Sequence, residues 1–125
     1  MSNQTIELFF SCRPDAFTVY RLLEDQLLAR CAPTSVEVRQ TQISFRSRYI
    51  YACVSLPRSK KALSGSIVVS FGLPCRVDSP RIAACSEAAP NRWTHHVVVT
   101  APDIDGELLG WLQQAFAFAN SPFRR

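Results

Sequence analysis

Hydrophobic positions recur along this chain with two different periods, and the change of period separates helical ends from a strand-rich middle. Between residues 14 and 31, Ala16, Phe17, Tyr20, Leu23, Leu27, Leu28 and Cys31 fall at the i, i+3, i+4, i+7 spacing of one helix face. Pro14 suits the first helical position, where its missing N–H would have had no partner. Asp15 favours the positive end of the helix dipole. Pro33 disfavours helical geometry at Ala32, so the helix is expected to stop there. Val19 and Leu22 lie off the stripe and point to a second contact, with the short element that precedes it. That element, residues 4–11, is read as a leading helix, although Ile6, Leu8 and Phe10 also alternate as strand residues would.

After Pro33 the period becomes two. Val36 and Val38 alternate with Glu37 and Arg39, and Ile43 and Phe45 with Gln42, Ser44 and Arg46. Tyr49, Tyr51 and Cys53 alternate with Ile50, Ala52 and Val54. Alternation rich in β-branched and aromatic residues predicts three short strands, with a tight turn near Ser47-Arg48. A polar loop over residues 57–61 leads to a fourth strand, residues 65–71, with Ile67, Val69 and Phe71 on one face. Residues 72–92 hold no period and are punctuated by Pro74, Pro80 and Pro90. They read as a functional loop, or as a cover for a short helix or strand around residues 81–85. Residues 93–100 predict a fifth strand through Val97-Val98-Val99. Pro102 and Asp103 then open a last helix, in which Ile104, Leu108, Trp111, Leu112, Ala115, Phe116 and Ala119 keep helical spacing. Asn120-Ser121-Pro122 ends it. Gly106 and Gly110 weaken it by up to about 1 kcal/mol each against Ala, and their spacing would permit close packing on the sheet.

The order α-α-β-β-β-β-β-α makes the expected fold class α+β: an antiparallel sheet of about five strands with N-terminal and C-terminal helices packed on it. A single domain is expected over residues 1–125, with an ordered core at about 4–120 and a basic tail over 121–125. Which sheet face the helices cover stays open, because the strands after residue 35 carry apolar residues on both faces.

Composition adds class and location. At 47% apolar and 19% charged, the chain has a globular balance, and 125 residues suffice for a real core without disulfides or a metal. Residues 1–5 lack the basic start of a secretory leader, and no stretch approaches the roughly 18 apolar residues of a spanning helix. A cytoplasmic location is therefore expected. The five cysteines, Cys12, Cys31, Cys53, Cys75 and Cys85, show no Cys-x-x-Cys pair. They are read as reduced thiols packed as small hydrophobes. The net charge of +4 is concentrated: residues 39–92 hold nine basic and two acidic side chains, a net of +7. Such asymmetry admits an anionic partner.

The residues able to carry chemistry fall into a few groups. His95-His96 are adjacent, so on a strand they face opposite sides and cannot share one metal. One reading points a histidine into a pocket with Arg92 and Trp93, where it titrates near neutral pH. The other leaves one ring in the core and one at the surface. Arg92-Trp93 suit either a planar or anionic ligand or an ordinary sheet edge. Gln42, Ser44 and Arg46 share one strand face. If helices cover the other side, an open sheet with Tyr49 and Tyr51 could stack bases, yet no ribonucleoprotein-type motif is present. Arg58-Ser59-Lys60-Lys61 is a short basic loop able to touch phosphates. Glu37-Val38-Arg39 matches a Glu-x-Lys metal-nuclease strand poorly, with Arg where Lys belongs. No Gly-x-Ser-x-Gly elbow, phosphate loop or dinucleotide fingerprint occurs. Asp103, Asp105 and Glu107 stand at a helix start, where they stabilise the dipole.

Several pieces occur in a characteristic order. They are Phe9-Phe10 before Arg13-Pro14, Thr41-Gln42-Ile43-Ser44-Phe45-Arg46, Gly72-Leu73-Pro74, Ser79-Pro80-Arg81, Arg92-Trp93-Thr94-His95-His96, and a closing Asp105 with Trp111-Leu112 and Ala115-Phe116. On these the chain resembles a bacterial family of small cytosolic domains of unknown function, over residues 6 to 119. The resemblance implies helices flanking an antiparallel sheet, and it supplies no reaction, ligand or catalytic residue. The expected function is a non-catalytic binding module for a small anionic ligand or a protein partner, with no cofactor and no metal. Its expected site gathers Gln42, Ser44, Arg46, Arg81, Arg92, Trp93, His95 and His96, with Ser79 beside them. Nucleic-acid binding through the basic middle, and a small enzyme using His95 or His96 as acid or base, are the alternatives.

Overall fold

A computed structural model describes residues 3–57 and 65–121. The basic loop expected at Arg58-Ser59-Lys60-Lys61 and the tail beyond Ser121 lie outside the described residues. The elements are α1 (Asn3–Phe9), α2 (Pro14–Arg30), β1 (Ser35–Val38), β2 (Ile43–Arg46), β3 (Ile50–Ser55), β4 (Ile67–Leu73), β5 (Ala84–Ala89), β6 (Arg92–Val99), a 3₁₀ turn (Ala101–Asp103) and α3 (Gly106–Ala119). The fold is α+β, and its strands form one antiparallel sheet in the order β1-β2-β3-β4-β6-β5.

Among the described residues the sheet has six strands, one more than the hydrophobic pattern predicts. The extra strand is β5, inside the stretch that reads as irregular. Its residues, Ala-Cys-Ser-Glu-Ala-Ala, are small or polar and mostly exposed. It is an edge strand held by its ladder to β6 rather than by a buried side-chain face, so it carries no apolar period to detect. The two-residue turn after it places Asn91 at φ 61°, a left-handed conformation that asparagine tolerates.

Both long helices lie on one side of the sheet. On α2 the buried stripe is Ala16, Val19, Tyr20, Leu23 and Leu27, so Val19 belongs to it. Leu28, at 42% exposed, and Leu22, at 45%, do not. The Phe10 ring packs on Phe17 and Tyr20, and Tyr20 in turn stacks on Phe45 at 6.1 Å, tying α1 and α2 to β2. The buried Glu24 accepts a hydrogen bond from the Tyr20 hydroxyl at 2.5 Å. On α3, Trp111 stacks on Phe71 at 6.0 Å and Phe116 meets Tyr51 edge-on at 5.2 Å. Gly106 and Gly110 do not serve a close approach, since a Cβ at either would meet nothing within 4 Å. The last helix begins later than Pro102: Thr100 caps the 3₁₀ turn in a capping box with Asp103, and Asp105 caps α3 by accepting from the Leu108 N–H at 3.0 Å.

Candidate functional site

Strand pairing sorts the middle of the chain into two faces. One cross-strand row runs Val36, Phe45, Ala52, Phe71, His95, Cys85 and lies under the helices. The adjacent row runs Glu37, Ser44, Cys53, Ser70, His96, Ala84 and faces away from them. Neighbouring rows on a pleated sheet face opposite ways. The uncovered face therefore presents hydroxyls, a thiol, an imidazole and charged groups where the covered face presents rings and aliphatic chains.

Of the residues expected to form a site, Gln42, Ser44, Arg46, Arg92 and His96 stand on the open face. Gln42 donates from Nε2 to Ser44 Oγ at 3.4 Å and to Cys53 Sγ at 3.5 Å. These contacts close over Ser44, which is 1% exposed. Arg46 Nε sits 2.8 Å from Glu37 Oε2, while the other oxygen of that carboxylate holds Arg39 at 3.2 Å. Arg46 is thus ion-paired, although the two guanidiniums share one carboxylate and the cluster keeps a net positive charge. Arg92 makes no ion pair among the described residues. It lines a 160 Å³ depression together with Cys53, Ser70, Gly72, Thr94 and Ile50, which the nearly buried Tyr51 and Phe71 also border. Ser70 Oγ lies 2.7 Å from His96 Nδ1 at the edge of this depression. Burial pushes the Cys53 thiol up, with Ser44 offsetting part of the effect, so it stays a thiol at neutral pH rather than a reactive thiolate.

The remaining expected residues lie elsewhere. His95 is fully buried under the helices, stacked on Phe71 at 5.2 Å with an interplanar angle of 11°. The Val77 N–H donates to its Nε2 at 2.9 Å, while its buried Nδ1 has no hydrogen-bond partner. Burial holds its pKa below the usual histidine range, partly offset by the carbonyls of Phe71 and Trp93. Trp93 is partly buried on the same covered side, paired with Leu73. Arg81 clips the segment before β5 to the start of α3. It donates to Asp105 at 3.0 Å, to Glu107 at 2.9 Å and to the Asp103 carbonyl at 2.8 Å, and lies 5.6 Å above the Trp111 ring. Ser79 accepts from the Arg81 N–H at 3.2 Å within that segment. The eight residues therefore do not converge. Cys53, Ser70, Gly72 and Thr94 join the open-face members, and sequence reasoning missed them. Their positions in the strand alternation held the signal, but only strand pairing reveals that they adjoin.

Tyr51 does not offer a stacking surface on the open face. The pairing runs Phe45 with Ala52 and then Arg46 with Ile50, which makes Tyr51 the extra residue of a bulge. Its ring turns toward Phe116, and its hydroxyl meets Thr34 Oγ1 at 2.9 Å.

Two larger hollows suit an anion less well. Among the described residues, a 650 Å³ groove beside Leu8, Gln40 and Leu56 is lined by no charged side chain. In a 410 Å³ groove between α2 and α3, Arg30 is opposed by Asp105. Among the described residues no three His, Cys, Asp or Glu side chains gather to hold a metal ion, and no helix is long and apolar enough to cross a membrane.

No curated protein and no solved structure matches the chain. A match covers residues 6–119, nearly the whole sequence and every element from α2 to α3, and by it the chain belongs to the family described as Domain of unknown function (DUF5655).

Proposed function

We propose that this domain is a non-catalytic binding module that holds a small anionic ligand on the open face of its sheet. One observation carries this reading: Arg92, with no ion-pair partner among the described residues, borders a depression walled by the hydroxyls of Ser70 and Thr94. A guanidinium beside hydroxyl donors recognises phosphate or carboxylate. A catalytic reading is less well supported. Among the described residues no carboxylate is hydrogen-bonded to His96 to orient it as a base, and the Cys53 thiol is held protonated. Nucleic-acid binding loses the stacking surface that Tyr51 would have provided. A bacterial cytoplasmic setting fits the family resemblance and the five free thiols, which suit a reducing compartment.

The test is a thermal-shift titration with inorganic phosphate, citrate and a short oligonucleotide, each at two salt concentrations. A ligand at 100 times its dissociation constant stabilises by about 2.7 kcal/mol, a shift of several degrees for a domain of this size. Phosphate or citrate is expected to give a shift that Arg92→Ala abolishes. A shift unchanged in Arg92→Ala, or one produced by the oligonucleotide alone and erased by salt, contradicts an anion site on this face.

A further inference from the structure

The shape and chemistry of the depression narrow the ligand further, an inference that rests on the anion site just proposed. Arg92, Thr94 and His96 alternate along the open side of β6, and Ser70 and Gly72 stand beside them on β4 in register. From Arg92 to His96 is four residues, roughly 13 Å of backbone. An anion seated on Arg92 fills one end of that span and leaves the rest open. The groups beyond Arg92 are small and form hydrogen bonds: the Thr94 and Ser70 hydroxyls, then the Cys53 thiol. Each hydroxyl both donates and accepts, which matches ligand groups that do the same. Gly72 contributes no side chain, so the floor beside Thr94 is flat. Ile50 supplies one apolar wall, against which the C–H side of a saturated ring can rest.

The aromatic rings that border the depression offer no open face to a planar base. Tyr51 and Phe71 are 3% and 2% exposed, Tyr51 packing edge-on against Phe116 and Phe71 lying between His95 and Trp111, while Trp93 and His95 point under the helices. A nucleobase gains much of its affinity by stacking, so a base would bind here with little to lie against.

We infer that the site takes a phosphorylated polyhydroxy compound of the sugar-phosphate class, with its phosphate on Arg92 and its hydroxyl-bearing body over Thr94, Ser70 and Cys53. The Ser70–His96 pair is then a positioning device: the imidazole holds the Ser70 hydroxyl toward the ligand.

Titration calorimetry with inorganic phosphate, glucose 6-phosphate, glucose and AMP tests this on the full chain. Glucose 6-phosphate is expected to bind roughly tenfold tighter than inorganic phosphate, the gain of one or two net hydrogen bonds. Thr94→Val, a nearly isosteric change, should weaken glucose 6-phosphate by more than it weakens inorganic phosphate and so bring their affinity ratio toward one. Ser70→Ala should do the same, so the result does not hang on one variant. Arg92→Ala should lose both ligands. Glucose 6-phosphate binding no tighter than phosphate, or AMP binding tighter than glucose 6-phosphate, overturns the sugar-phosphate inference while leaving the anion site standing. Phosphate and glucose 6-phosphate both failing to bind removes the anion site itself.

Discussion

The two histidines of β6 are neighbours in the chain and live in different environments, as do the two faces of the sheet that they represent. His95 points under the helices, is fully buried, stacks on Phe71 and accepts from the Val77 N–H. His96 points the other way, to a half-exposed face where its partner is a serine hydroxyl. The same strands build both sides. One side is closed by aromatic stacking that runs from His95 through Phe71 to Trp111, with Arg81 over the last ring. The other is left with side chains that need hydrogen-bond partners. Stability is expected to reside on the covered face and binding on the open one.

Substitution across one strand pair gives the sharpest contrast. Phe71→Ala removes a ring packed between Trp111 and His95 and is expected to cost about 3–5 kcal/mol in urea unfolding. Its neighbour Ser70→Ala, facing the other way, loses a single hydrogen bond and should cost about 0.5–1.5 kcal/mol. Similar losses at the two positions would erase the distinction between the faces.

Acid separates the two histidines next. His95 is held below the ordinary histidine value of 6.5 because burial disfavours its charged form and the Val77 N–H requires an unprotonated Nε2. Arg76 and His96 add charges that disfavour protonation further. The unfolded chain therefore binds the proton first. Stability should be unaffected by His95 above about pH 6.5 and should fall below it, with a slope approaching about 1.4 kcal/mol per pH unit until the folded ring titrates. His95→Gln, which keeps an acceptor for Val77, should flatten the curve in that window. An unchanged slope would show that His95 is not the group responsible. Asp103 is held below the usual carboxylate range by the Thr100 N–H and hydroxyl, and Asp105 by the Leu108 N–H and then Arg81. Their contribution should be lost only at more acidic pH.

Arg81→Ala is a smaller perturbation. It releases the segment before β5 from Asp105, Glu107 and the Asp103 carbonyl, and should lower Tm by a few degrees while speeding amide exchange at Val77 and Ile82. Arg92→Ala should change stability least, by within about 0.5 kcal/mol, because Arg92 makes no ion pair among the described residues. A large loss there would recast Arg92 as structural.

Much of this arrangement could be read from residue order. Pro14 and the apolar spacing to Leu27 mark α2, and the opposed facing of His95 and His96 comes from strand geometry alone. What stayed hidden depends on pairing. β5 is small and polar because its edge position buries little, so it has no period to find. Tyr51 shares the alternation phase of Cys53 in sequence, yet the bulge turns it to the opposite face. Ser70 and Cys53 are ordinary strand residues until register sets them in one row with Ser44 and His96. Arg81 reads as a ligand contact in isolation. Its actual partners, Asp105 and Glu107, lie 24 and 26 residues away, and no local pattern links them.

The most direct test of the open-face site is an amide chemical-shift titration with inorganic phosphate. Binding on that face predicts that the Ser70, Gly72 and Thr94 signals move in step with a single dissociation constant, while Val69 and Val97, under the helices, stay in place. Shifts centred on the groove between α2 and α3, or no saturable shift at Ser70, Gly72 and Thr94, would contradict it.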